Sequence, residues 1–193
     1  MQGQLVEAVK KGHVVIYDEF SRSRPETNNI FLSLLEEKIL PLYGYGKGAF
    51  VNSHPDFRII FTSNPNEYTG TFQTQDALMD RFITISLDYC DKETEVTILH
   101  KKTGVAQEEA CEIVKLVSNL RSYGKGFCPS LRSSLMLATI AQKANIPINS
   151  QNQNYQTLCF DVLSNPVKQI FPDLNIKEVR EFILQEMKKK EVN

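Results

Sequence analysis

The rhythm of apolar and polar positions changes once along the chain. Up to Asp88 the apolar residues come in short continuous runs, and beyond it they recur at helical spacing. Leu5, Val6 and Val9 share one side of a short amphipathic helix over residues 1–11, and Gly12 stops it. His13 to Asp18 is a β-branched and aromatic run ending in acid, the texture of a parallel-sheet strand buried on both faces. Pro25 suits the first position of a helix, where its missing N–H costs nothing, and Glu26 places negative charge in that first turn. The helix is predicted to run to about Ile39. Phe31, Leu34, Leu35 and Ile39 form its apolar face, and Glu36, Glu37 and Lys38 fall mostly on the polar side. Pro41 ends it. Tyr43 to Gly48 then reads as a glycine-rich turn between two short strands. Phe57 to Thr62 reads as a second buried strand, Thr74 to Asp80 as a short helix and Phe82 to Leu87 as a third strand.

After Asp88, Ile113, Leu116, Val117 and Leu120 follow the i, i+3, i+4, i+7 pattern of a helix face. Ser130 is placed to cap a helix reaching about Lys143, and further helices are predicted near Thr157–Leu163 and Ile176–Lys190. The Asn/Gln-rich stretch 149–156 reads as a loop. The closing run Lys188, Lys189 and Lys190 is the solvated end of the last helix, which the helix dipole favours. No internal repeat is visible. The expected fold class is therefore α/β over residues 1–88, followed by a helical part over residues 89–193.

Composition narrows the functions open to such a chain. Its 193 residues are 41% hydrophobic, enough for a core. The 22 basic and 23 acidic residues give a net charge of −1, which removes the compositional case for a nucleic-acid binder. Apolar runs reach only four residues, as at Val14 to Tyr17, so no membrane-spanning helix is expected. The amino terminus shows no secretory signal. Cys90, Cys111, Cys128 and Cys159 are widely separated, form no CxxC pair and read as buried or idle thiols rather than zinc ligands.

Four local patterns carry candidate chemistry. Val14-Val15-Ile16-Tyr17-Asp18-Glu19 is four apolar residues followed by two acids, the Walker B pattern of nucleotide hydrolases. A buried parallel strand delivers such acids at its carboxyl end, where open α/β sheets bind ligands. Asp18 would hold Mg²⁺, directly or through water, and Glu19 would orient and polarise the attacking water. Taken alone, a strand running into an acidic turn explains the string equally well. Ile59-Ile60-Phe61-Thr62-Ser63-Asn64-Pro65 is a second strand ending in an amide, and Asn64 would face the same water; the alternative is a simple Ser-Asn-Pro turn. Arg81, in Asp80-Arg81-Phe82, stands at a helix-to-strand junction, where an arginine can reach a phosphate on an adjacent subunit or form an ordinary surface ion pair. Arg132 opens a helix after Pro129 and Ser130, positioned either to meet a terminal phosphate or merely to sit in a first turn whose dipole mildly opposes it.

The order and spacing of these patterns resemble the MoxR branch of AAA+ ATPases, and within it the GvpN family of gas vesicle proteins. The resemblance rests on Tyr17 to Asn29 (the Tyr-Asp-Glu-Phe-Ser-Arg-Ser-Arg-Pro-Glu wording above all), Leu34 to Leu40, His54 to Arg58, Thr62 to Gly70, Thr74 to Ile85 and Ser130 to Ser133. It covers most of residues 1–140. It implies a partial AAA+ P-loop core with a helical lid. Asp18 and Glu19 match Walker B, Asn64 matches sensor 1, Arg81 the arginine finger and Arg132 sensor 2. Arg22 matches an arginine of the MoxR-type loop, and Gly44–Gly48 the hairpin inserted before sensor 1. It further implies ATP and Mg²⁺ as cofactors, a homo-oligomeric ring, gas vesicle proteins as partners, no nucleic acid or membrane, and a cytoplasmic, gas vesicle-associated location.

One part of such an ATPase is missing from the sequence. The phosphate-binding loop, Gly-x-x-x-x-Gly-Lys-Ser/Thr, does not occur. Gly46-Lys47 is followed by Gly48 and has Pro41 where the first glycine belongs, and Gly124-Lys125 is followed by Gly126 with Asn119 in that place. The family carries this loop upstream, on a segment that includes the central strand, so the chain is expected to be the carboxyl-terminal portion of a longer protein, or a truncated reading frame, and poorly stable by itself, with strand edges unpaired. A non-catalytic interaction partner and another MoxR-type chaperone ATPase stay open beside the gas vesicle reading.

Overall fold

The computed structural model describes residues 3–42, 48–64, 76–124 and 128–189. Helix α1 (Gln4–Lys11) buries Ala8 and Val9 and ends at Gly12 in the left-handed region, φ 75°. A side chain at Gly12 would also strike the His54 ring, so this position requires glycine twice over. Strand β1 (Val14–Tyr17) follows, then a 3₁₀ turn at Phe20–Arg22 and helix α2 (Pro25–Glu36). Helix α2 stops three residues short of the expected Ile39. Lys38 takes φ 60°, and Ile39–Pro41 becomes strand β2, paired antiparallel with β3 (Phe50–Asn52). The hydrophobic face counted through Ile39 therefore belongs to two elements. The strands on either side of the expected glycine-rich turn are present, while residues 43–47 of that turn lie outside the described residues.

Strand β4 (Arg58–Phe61) lies parallel to β1, with Val15 opposite Ile59 and Tyr17 opposite Phe61. One face of this pair is core: Tyr17, Ile59 and Phe61 pack with Phe20, Phe31, Leu34 and Leu78. The other is bare, and Val14, Ile16 and Ile60 are all exposed, Ile16 to 67%. The expected burial on both faces is thus not found. Of the predicted helix Thr74 to Asp80, α3 (Asp76–Met79) is present, and residues 74–75 lie outside the described residues. The predicted strand at Phe82 to Leu87 is not a strand. Those residues have no regular structure, and Ile83 and Leu87 are 95% and 91% exposed. A strand exists only by pairing, and among the described residues no neighbour supplies the ladder. The bare face carries an expected result: the purified chain self-associates by light scattering, and a Val14→Thr/Ile16→Thr/Ile60→Thr variant scatters less. Equal scattering by the two would place the sticky surface elsewhere.

The chain divides into two units, Met1–Ile85 and Ser86–Asn193. The second is built from α4 (Lys92–Thr103), α5 (Gln107–Arg121), α6 (Leu131–Lys143), α7 (Gln153–Ile170) and α8 (Ile176–Lys188). Its helix starts are chemically marked. Asp91 accepts from the Thr94 N–H at 2.8 Å and from its hydroxyl at 2.8 Å. These bonds hold the Asp91 carboxyl below the ordinary aspartate range, so the cap is in force above that range and fades as pH falls through the lowered value. Asn175 caps α8, with Glu178 accepting in return from the Asn175 N–H. The i, i+3, i+4, i+7 residues of α5 are buried together with Leu99, Leu137, Leu163 and Ile183 in one core. Helix α7 corrects two expectations. Its start is Gln153, inside the expected loop, because Asn152 caps it by accepting from the Tyr155 N–H at 3.0 Å. It also continues past Pro166 to Ile170. A proline inside a helix forfeits a backbone bond, and the full burial of Val167 just beyond it opposes that loss. Within the same core, burial pushes the Cys159 thiol up to about 12, so it stays protonated and inert.

Candidate functional site

The parallel pairing of β1 and β4 decides where the acids go. Tyr17 and Phe61 are opposite each other, so Asp18 and Thr62 leave the two strands side by side. The Thr62 N–H donates to the Tyr17 carbonyl at 3.0 Å, and the Phe20 N–H donates to the Thr62 carbonyl at 2.8 Å, which keeps the chains zipped beyond the strand ends. The Thr62 hydroxyl is used twice: it donates to Asp18 Oδ1 and accepts from the Glu19 N–H at 3.1 Å.

Glu19 sits in the left-handed region, φ 53°, which non-glycine residues adopt only when their surroundings hold them there. The holding groups are aromatic. Phe20, buried directly after Glu19, meets Phe61 edge-on with ring centroids 4.7 Å apart, and Tyr17, directly before Asp18, meets Phe31 at 5.2 Å. Asp18 and Glu19 are therefore an exposed acidic pair pinned on both sides by core rings. Glu19 Oε2 is 3.0 Å from Arg22 Nε, with both side chains about half exposed. An ion pair that wet contributes little stability and leaves the carboxylate within reach of water.

Asn64, exposed, stands two residues beyond Thr62 at the same strand end. Arg81 follows α3 and places its Nη2 2.9 Å from Glu36 Oε2, at the end of α2. Its neighbour Phe82 stacks on Phe61 at 4.8 Å, so this arginine is tied to the same aromatic cluster as the acids. Arg132 belongs to the other unit. It is an exposed residue in the first turn of α6, and its N–H donates to the capping Ser130 hydroxyl at 3.2 Å. The structure thus brings Asp18, Glu19 and the end of β4 together, holds Arg81 on the same unit through Phe82 and Glu36, and carries Arg132 on a separate unit.

No group of three or more His, Cys, Asp or Glu side chains among the described residues is placed to cage a metal. Mg²⁺ bound with nucleotide phosphates does not require one, since it keeps waters and phosphate oxygens and takes one or two carboxylates. The exposed Asp18 carboxylate fits that demand. Among the described residues no helix is long and apolar enough to cross a membrane.

Thr62 is the residue that sequence reasoning missed. Its place beside Asp18 follows from the register in which β1 and β4 pair, which no local string in the sequence marks. Thr62→Val is expected to lower any hydrolysis that depends on Asp18 and Glu19 by ~10-fold or more, because the acid loses its charge-assisted donor and the Glu19 N–H its acceptor. Thr62→Ser should restore it. Steady-state hydrolysis by the two variants checks this, and full activity in Thr62→Val would show the hydroxyl to be incidental.

The model of the AAA domain, dynein-related subfamily, matches residues 1–82. This stretch of the chain is an AAA domain. The chain is 39% identical over 166 residues to the gas vesicle ATPase GvpN of Ancylobacter aquaticus, covering 85% of this chain and 46% of that protein. It is 38% identical over 168 residues to GvpN of Haloferax mediterranei, covering 86% and 47%. With GvpN1 of Halobacterium salinarum it shares 34% identity over 186 residues, covering 95% and 52%. The chain thus spans about half the length of the curated relatives it matches. The expected class, a partial AAA+ core followed by helices, agrees with the family match, the short parallel sheet and the helical second unit.

Proposed function

We propose that the chain supplies the hydrolytic part of an AAA+ ATPase subunit that acts in gas vesicle assembly. The observation that carries this reading is the acidic pair at the carboxyl end of β1, with Asp18 bonded to the hydroxyl of Thr62 on the adjacent parallel strand. Bound Mg²⁺-ATP would supply the scissile phosphoanhydride and the charge neutralisation its cleavage needs. Asp18 holds the metal, directly or through water. Glu19 orients the attacking water and draws on its proton. Asn64, from the neighbouring strand end, restrains that water. Arg81 would serve the phosphate of an adjacent subunit in a homo-oligomeric ring, and Arg132 would meet the terminal phosphate.

The names of the relatives support gas vesicles as the setting and gas vesicle proteins as the partners. The phosphate-binding loop has no counterpart in the 193 residues, so the nucleotide's phosphates would be cradled by a segment outside these residues. The same lack favours a second reading, in which the chain only binds partners or completes a ring of intact subunits. Both are tested by joining the chain behind the amino-terminal half of the Ancylobacter aquaticus relative. Mg²⁺-dependent ATP hydrolysis that requires Glu19 supports the first reading, and ring assembly without hydrolysis supports the second.

A further inference from the structure

A buried charge cluster lies in the helical unit at the entry to α6. Glu95 of α4 and Arg121 of α5 pair through two bonds, Nη1 to Oε1 at 2.9 Å and Nη2 to Oε2 at 3.3 Å, with side chains only 2% and 12% exposed. Removing two charges from water is costly, and a helical core of Leu, Ile and Val would not need them. The rest of the guanidinium is also committed. Nε donates to the Pro129 carbonyl at 3.0 Å, and the Tyr89 ring lies 4.0 Å from its central carbon. The Arg121 carbonyl in turn accepts from the Cys128 thiol at 3.6 Å. Pro129 is the residue before Ser130, the cap of α6, and Arg132 follows in the first turn.

We infer that Arg121 is a positioning residue: braced by Glu95, its Nε–Pro129 bond fixes where α6 begins and thereby where Arg132 is presented. The functional part rests on the reading of Arg132 given above. An arginine in a first helical turn is mildly opposed by the helix dipole, so its orientation needs an external restraint. The planar fork of arginine gives the carboxylate and the carbonyl separate donors at fixed positions, whereas a lysine ammonium would have to reach both from a single atom.

The test is amide hydrogen exchange on the full chain carrying Arg121→Lys, with Glu95→Gln as a second variant of unchanged shape. Exchange at Ser133 to Leu135 should rise ~10-fold or more in Arg121→Lys, the loss expected for a charge-assisted hydrogen bond, and less in Glu95→Gln, which keeps the bond to Pro129. Amides of Leu158 to Leu163 in α7 should be unchanged in both. Unchanged exchange at the start of α6 overturns the inference, as does an equal rise across the helical unit; should Arg121→Lys fail to fold, Glu95→Gln decides alone. Binding of a fluorescent Mg²⁺-ATP analogue to the joined protein with Arg132→Ala separates the two claims. Unaltered binding there removes the role of Arg132 but leaves the exchange result to judge Arg121.

Discussion

Glu19→Gln, in the chain joined to the amino-terminal half of a relative, is expected to slow ATP hydrolysis by ~10²-fold or more, the usual contribution of a positioned general base. Affinity for Mg²⁺-ATP should stay within about twofold, because glutamine keeps the size and the hydrogen-bonding reach of the side chain while losing its basicity. The prediction follows from the local geometry. Phe20 and Tyr17 pin the backbone on both sides of the acids, and the Glu19 N–H is held by Thr62, so the substitution changes one functional group without moving the turn. Asp18→Asn should behave differently, weakening Mg²⁺-dependent binding itself, since a neutral amide is a poor ligand for a hard cation. Steady-state rates and an equilibrium titration on the same preparations read both effects. A Glu19→Gln protein that hydrolyses like its parent would assign the acid to the turn rather than to chemistry.

The second large effect concerns the helical unit. Leu137→Ala is expected to destabilise it by about 2–5 kcal/mol, the range for truncating a fully buried leucine. Leu137 is 0% exposed on α6, within the core shared by α4, α5 and α7. Its sequence neighbour Met136 is 51% exposed, and Met136→Ala should cost within about 0.5 kcal/mol. Denaturant midpoints of the two variants, followed by helical circular dichroism, give the comparison. Similar losses at both positions would mean that α6 presents a different face to the core.

The helical unit was the more legible of the two in sequence. Its elements satisfy themselves locally, so the spacing of Ile113, Leu116, Val117 and Leu120 and the cap at Ser130 suffice. The misreadings there, the start of α7 at Gln153 and its end beyond Leu163, arose where a single cap and one buried residue outweighed composition. The sheet was harder because strands depend on partners far away in sequence. Phe82 to Leu87 has strand texture and no ladder among the described residues, and the alternate faces of β1 and β4 are bare. At the candidate site, Asp18 and Glu19 were legible as a string, and the left-handed backbone of Glu19 was not. Thr62 joins them only through the parallel register, and Glu95 and Arg121 are distant in sequence, so neither pairing leaves a local signature.

Titration of a fluorescent ATP analogue with Mg²⁺, run side by side on the chain alone and on the chain joined to the relative's amino-terminal half, addresses the nucleotide site most directly. A site whose phosphate cradle comes from outside these residues requires no saturable binding by the chain alone, saturable binding by the joined protein, and loss of that binding in Asp18→Asn. Saturable binding by the chain alone, or binding by the joined protein that ignores Asp18→Asn, would contradict it.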